Sequence, residues 1–344
     1  MVLLGELAFS AGDLAQMRFA VSPAWEVVTS FRRLLTDGAT SPLYRPWAEQ
    51  VRPRLAAAGL DRGWLAELIP PKGSLPHFLT PAPAGPAPAP AEELAALVAA
   101  PADVVRRNLD HLRYHQGPLG PRARSLYADP RAHLPRLAQE VEAYWELALA
   151  PYWARIRAVL DADVFHRARQ AAEQGAGRVI NELHSAVRWD DDVLRLLRRT
   201  RPLSRETAGR GLLLVPSAFL GPGLLTRMTP PDPPQLAYPA RGVGALWASR
   251  PPAARAQALA AVLGRARALL LAELEAPAST TELARRTGLS AAGVSQNLTA
   301  LRDAGLVSAH RAGRSVLYAR TTVAEALLAA PGGEGAVSSA AAPA

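Results

Sequence analysis

Cysteine is absent from the 344 residues, which excludes disulfides, thiolate nucleophiles and thiolate metal sites and suits a reducing, cytoplasmic setting. Long apolar runs are missing too. No stretch approaches the about 20 apolar residues of a membrane span, and Glu6 interrupts MVLLGELAFSAGDL before an export segment could form, so no membrane partner is expected. Catalytic motifs are just as scarce. No G-x-x-x-x-G-K occurs; Gly209-Arg210-Gly211 lacks a third glycine and a following helix; Ser217 lies in VPSAF rather than in a G-x-S-x-G elbow. Asp190, Asp191 and Asp192 follow Trp189, but consecutive helical carboxylates point different ways, and Asp190 reads as a helix N-cap. His111 and His115 share a helix face at i and i+4 with no third ligand in view. No catalytic residue, cofactor or metal is therefore assigned, and an enzyme reading has no motif behind it.

What the chain does have is positive charge, at +9 with a pI of about 10.6. Lys72 is the one lysine, so nearly all of this charge is arginine. Arginine and alanine enrichment follows from high-GC coding by itself, so where the charges sit matters more than their sum. Mean hydropathy near zero and 49% hydrophobic residues describe a water-soluble chain with a sizeable core, long enough for two or more domains.

The charges gather on the most informative stretch, Ser279 to Arg320. Ser279 and Glu282 have capping-box spacing, and Gly288 is placed to end the helix they start. Ser290 caps a second helix, with Val294, Leu298 and Leu301 on one apolar stripe. The opposite face carries Ala291, Ala292, Ser295, Gln296 and Thr299, small enough to enter a major groove, with Ser295 and Gln296 able to read base edges. Two short strands follow, Leu306 to Arg311 and Ser315 to Arg320, joined by Ala312-Gly313-Arg314. The whole predicts a winged helix-turn-helix. From Arg265 to Arg320 there are eight arginines against four acidic residues. Arg285, Arg286, Arg302, Arg311, Arg314 and Arg320 fall on the turn, helix end and wing, where a duplex backbone would run.

The run from Leu271 to Arg320 resembles the DNA-binding domain of ArsR-type bacterial repressors. The resemblance rests on TELARRTGLS (281–290), on Val294, Ser295 and Leu298, on the L-R-x-A-G-L-V of Leu301 to Val307, and on the G-R-x-V-x-Y of Gly313 to Tyr318; it covers about residues 255 to 328. It implies a homodimer formed through the flanking helices and a repressor released by a signal. The thiolate metal sensing of some members is not expected here, because their cysteines are missing, and Thr322 to Leu328 has no histidine for a second metal site. Gln296-Asn297, in place of the family's frequent basic residue and histidine, leaves base preference open. The DNA-contacting set read from the sequence is Thr280, Arg285, Arg286, Ser290, Ala291, Ala292, Ser295, Gln296, Asn297, Thr299, Arg302, Arg311 and Arg314.

The remaining chain reads as a large, mostly helical domain, residues 1–248, with a few short strands. A strand is expected at Val2 to Phe9, then helices at Ser10 to about Ala20, Pro23 to Leu35, Tyr44 to Ala58 and Arg62 to Leu68. Trp25, Val28, Phe31 and Leu35 form the stripe of the second helix. Residues 80–91, TPAPAGPAPAPA, read as a semi-extended surface linker that separates two lobes or decorates one. Helix is expected from Glu92 to about Arg199. Beyond Gly209, GRGLLLVPSAF and QLAYPARG read as strands that could join Val2 to Phe9 in one sheet. A helix from Ala253 to Glu275 would lead into the winged domain (253–329), and residues 331–344 should be disordered. The runs LAFSAGDLAQMRFAVSPAWEVVTSFRRL, GRGLLLVPSAF and YPARGVGALW resemble a group of high-GC Gram-positive regulators whose amino-terminal domain has no assigned function.

The expected fold class is thus mainly α, with a carboxy-terminal winged helix-turn-helix. The expected function is sequence-specific regulation of transcription on double-stranded DNA by a dimeric repressor. The alternative is a protein-interaction or scaffold protein whose winged helix does not read DNA. All seven tryptophans precede residue 248, and a pocket lined by Trp145, Trp153, Phe165 or Trp189 would suit an apolar small-molecule effector.

Overall fold

The computed structural model describes residues 4–36, 41–190, 192–197, 210–230, 232–247, 259–312 and 315–329. They fall into two units, Met1–Ala248 and Ser249–Ala344. The tail beyond residue 330 and the first residues of the helix expected from Ala253 lie outside the described residues.

In the first unit, strand β1 (Leu4–Ala8) leads to Ser10, whose hydroxyl accepts the Asp13 amide while the Asp13 carboxylate accepts the Ser10 N–H. This capping box starts α1 (Ala11–Ala15), but the helix stops at Gln16 rather than Ala20. The next residues are drawn into β2 (Arg18–Phe19) by pairing with the strand Leu213–Ser217, so a non-local ladder overrides helix propensity. Pro23 then starts α2 (Pro23–Leu35) as expected, with the Ser22 hydroxyl as its cap. Trp25, Val28 and Phe31 are buried, whereas Leu35 at the frayed end is exposed. Helices α3 (Arg45–Ala57) and α4 (Trp64–Leu68) follow, the latter preceded by a 3-10 turn at Leu60–Arg62.

The Pro/Ala segment decorates one lobe. Residues 80–89 form no helix or strand, yet Thr80, Pro81 and Pro88 are buried and the Pro86 carbonyl accepts the Val21 N–H at 2.9 Å. Leu55 before it and Leu97 after it belong to one core. Helix α5 (Pro90–Val98) begins inside the expected linker, because proline suits a first turn and the Glu92 carboxylate accepts the Ala89 amide.

Helices α6 (Ala102–Gln116), α7 (Pro121–Ala128) and α8 (Pro130–Tyr144) complete the helical layer. At Pro151 the long helical run is broken by a π-turn (Trp145–Leu149) and a 3-10 turn (Ala150–Tyr152) before α9 (Trp153–Gln174) and α10 (Ala176–Leu183). Helix does not continue to Arg199. Val187, Leu194 and Leu196 are buried and alternate with arginines, a period of two, and the segment folds as a hairpin of β3 (Val187–Asp190) and β4 (Val193–Leu197). Asp190 therefore ends a strand and lies 3.7 Å from Arg195 rather than capping a helix, and Asp192 takes the left-handed turn conformation (φ 57°).

The strands β5 (Leu213–Ser217), β6 (Leu225–Arg227) and β7 (Gln235–Pro239) form a sheet of order β2-β5-β7-β6. The amino-terminal strand is not part of it. Instead β1 pairs antiparallel with β4 in a second sheet, β1-β4-β3. The four-stranded sheet is the middle layer, buried on both faces, which is why it reads as continuous apolar runs. Leu213, Val215 and Ala237 face the helical core, while Leu212, Leu214, Leu236 and Tyr238 face the β1-β4-β3 sheet, with Leu7, Leu194 and Leu196. Gly211 is required at the entry to β5: a Cβ there would lie 2.5 Å from the Gln16 carbonyl oxygen, and its N–H donates to the Asp13 carboxylate.

Among the buried carboxylates of this unit are Glu26 and Glu93. Glu26 on α2 accepts the Ala218 N–H with both oxygens, at 3.1 and 3.2 Å, and burial pushes its carboxyl up to about 8. Glu93 on α5 accepts the Ser22 hydroxyl and the Ala24 N–H, and burial pushes it up to about 7. Ser217 is fully buried, its hydroxyl 3.0 Å from that of Thr29 and accepting the Phe219 and Leu220 amides.

Of the aromatic residues read as candidates to line a pocket, Trp145 borders a narrow apolar pocket with Val27, Leu65 and Leu97. Trp145 and Trp153 pack edge to face on each other, Phe165 is 71% exposed, and Trp189 lies against the other core, its indole N–H donating to the Phe9 carbonyl.

In the second unit the helix expected as far as Glu275 is interrupted at Gly264. Residues 259–263 are helical and α11 spans Arg265–Glu273. After it come α12 (Thr280–Thr287), α13 (Ala291–Asp303), the hairpin β8 (Val307–Ala312) and β9 (Ser315–Arg320), and α14 (Thr322–Ala329). Leu270, Leu271, Leu283, Val294, Leu298, Leu301 and Ala324 make one core.

Candidate nucleic-acid interface

The turn between α12 and α13 is set by local chemistry. The Ser279 hydroxyl accepts the Glu282 amide at 3.2 Å, and Gly288 ends α12 at φ 72°, a conformation that costs most residues about 1 kcal/mol or more. The return half of the expected capping box is replaced: the Glu282 carboxylate takes bonds from Arg285 and Arg286, both at 2.7 Å, and these hold it down at about 2. The Thr287 hydroxyl donates to the Leu283 carbonyl and accepts the Leu289 amide, tying the turn from both sides. Ser290 caps α13 through the Gly293 amide at 3.1 Å.

Helix α13 buries Val294, Leu298 and Leu301 completely or nearly so, as the stripe predicts. Ser290, Ala291, Ala292, Ser295, Gln296 and Thr299 are exposed along the other side, a shallow ridge of small side chains with one long amide. Asn297 is half-buried and its amide donates to the Gly293 carbonyl at 2.8 Å, within the helix. Thr280 is half-buried at the start of α12.

The six motif arginines separate into different situations. Arg285 and Arg286 are exposed but share Glu282, Arg302 is exposed beside Asp303 at 3.4 Å, and Arg311 is exposed on β8 near the wing tip. Arg314 and Gly313 lie outside the described residues. Arg320 does not face a duplex: it is largely buried, donates to the Leu271 and Ala272 carbonyls at 2.6 Å each, and approaches Glu325 at 3.6 Å. The guanidinium satisfies carbonyls at the end of α11 that have no helical partner.

A wing element escaped the sequence reading. Ala278, two residues before α12, pairs with Tyr318 through bonds of 3.1 and 2.9 Å and adds a one-residue bridge to the other edge of β9. A single bridge leaves no periodic trace; Ala278 reads only as a residue of the Pro277 turn.

Among known families, a helix-turn-helix domain matches residues 249–308, and a family of unknown function (DUF5937) matches residues 102–244. The chain thus carries a helix-turn-helix domain preceded by a region similar to that uncharacterised family. The first match ends in β8, and the second spans α6 through β7. No curated protein and no solved structure matches the chain.

Proposed function

We propose that this helix-turn-helix protein is a sequence-specific transcriptional repressor of the ArsR type that binds double-stranded DNA as a homodimer. The observation that carries the reading is the pairing of a groove-sized, uncharged ridge on α13 with exposed arginines at both its flanks, Arg302 at the helix end and Arg311 on the wing. Small side chains let a helix sit deep in the major groove, and flanking cations neutralise phosphates. Dimerisation through flanking helices is supported by apolar side chains left open there: Val262 is 81% exposed, Val323 55% and Leu327 43%. Two recognition helices related by a dyad would enter successive major grooves about 34–36 Å apart, so the operator is an inverted repeat.

The test is selection of the full chain on random and fragmented genomic DNA near physiological salt, followed by sequencing. An enriched inverted repeat supports a dimeric regulator. Gln296→Ala should then relax base preference, while Arg311→Ala should weaken specific and random DNA alike and flatten the salt dependence by about one charge. Equal loss on specific and random DNA for Gln296→Ala would remove its reading role. The second reading, an interaction module, draws on the bland first turn Ala291-Ala292-Gly293, and gains if no sequence is enriched.

A further inference from the structure

A cavity of about 1000 Å3 in the first unit opens between α2, the loop before the Pro/Ala segment, α6, and the ends of β4 and β6. That is the upper end of the usual range for small-molecule sites. Its wall combines a cation, imidazoles and an apolar surface. Arg32 stands one side-chain row beyond Trp25 on α2, at i+7; His77, His111 and His184 come from three other elements, and Leu225 belongs to the apolar part. Among the described residues no aspartate or glutamate lines it.

Arg32 is the unusual member. Its Nε and Nη2 are buried without a hydrogen-bond partner, and among the described residues no carboxylate comes within ion-pair distance. Two other arginines near it are matched: Arg107, also on this wall, pairs with Asp103 at 2.6 Å, and Arg227 with Asp232 at 2.9 Å. An unmatched, partly desolvated guanidinium is costly to keep. Burial lowers its pKa to about 10, so it still carries its charge at neutral pH. Leu224 and Leu225, half-buried at the start of β6, supply the apolar part of the wall.

We propose that this cavity binds a small organic anion, its acidic head paired with Arg32 and its apolar body lying along Leu224 and Leu225. The head is the counter-charge that the wall lacks, and a guanidinium presents a planar fork suited to carboxylate, sulfonate or phosphate oxygens. The body accounts for the apolar lining, which a bare inorganic ion would leave wet. Anion binding here does not depend on the DNA-binding function; a role as the signal of the repressor would rest on that function and is a separate question.

The full chain is titrated with 8-anilinonaphthalene-1-sulfonate, an amphipathic anion, and with N-phenyl-1-naphthylamine, its uncharged counterpart. The anion should bind saturably at one site, and Arg32→Met should weaken it by about tenfold or more, the scale of one charge-assisted bond. The uncharged probe should change less than about twofold. Leu225→Trp, which sets a bulky ring where the apolar body would lie, should weaken both. Octanoate should displace the sulfonate probe, whereas inorganic phosphate at equal concentration should not.

Because Arg32→Met removes an unmatched cation, its unfolding temperature should equal or exceed that of the wild type, and octanoate should raise the wild-type value only. Equal loss of both probes in Arg32→Met would overturn the anion assignment. Unchanged binding in Leu225→Trp would overturn the location, and displacement by phosphate as effective as by octanoate would overturn the need for an apolar body.

Discussion

Replacing Glu26 by glutamine should make the first unit more stable at alkaline pH and leave it nearly unchanged at pH 4 to 5. Glu26 is 0% exposed, and its carboxyl is raised by burial from 4.5 to about 8, even though bonds from Ser217 and Ala218 pull the other way. The folded state therefore holds a proton that the unfolded chain releases above about pH 4.5. Its contribution is fully present below that pH and is lost as the pH rises through 8. At about 1.4 kcal/mol per pH unit, the gap corresponds to about 5 kcal/mol at high pH and about 3 kcal/mol at pH 7. Glutamine carries no such dependence. Its carbonyl can keep the Ala218 N–H, and any cost of placing the amide NH2 beside Ser217 is independent of pH, so the slope is the informative quantity. All seven tryptophans precede residue 248, so urea unfolding followed by tryptophan emission reports this unit alone. The difference in unfolding free energy between variant and wild type should climb by several kcal/mol between pH 5 and pH 9. Parallel curves over that range would refute the argument. Glu93, raised to about 7, bends the wild-type curve in the same direction.

Two further predictions concern the winged domain. Arg320→Ala should destabilise it by about 2 kcal/mol, because two carbonyls lose a charged donor; hydrogen exchange of amides in α11 should accelerate, and a variant that lost only DNA affinity with exchange unchanged would return Arg320 to the phosphate-binding set. Gly288→Ala has open space around the new methyl but a backbone at φ 72°, so it should cost about 1 kcal/mol through conformation alone, seen as faster exchange in α12 and the first turn of α13; a neutral result would show that the turn relaxes.

The winged domain was legible in the sequence because its signals are local. A hydroxyl at Ser279, a glycine at 288, a second hydroxyl at Ser290 and the spacing of Val294, Leu298 and Leu301 each specify geometry within about one helical turn, and they agree with one another. The same was true of Pro23 at the start of α2. Where partners were distant in sequence, local reasoning failed. The end of the helix expected at Ser10 to about Ala20 gave way to a strand because Leu213 and Leu214 were waiting beside it, and Asp190 ended a strand instead of capping a helix because β4 pairs with both β1 and β3. Arg320 had the charge of a phosphate contact, but the fold set the open carbonyls of α11 within its reach. The cavity around Arg32 has no sequence signature, since its wall is gathered from segments between Trp25 and Thr226. Periodicity and capping determine where helices begin and which face is buried; which distant groups meet, and which charge is left unmatched, is decided only when those faces close on one another.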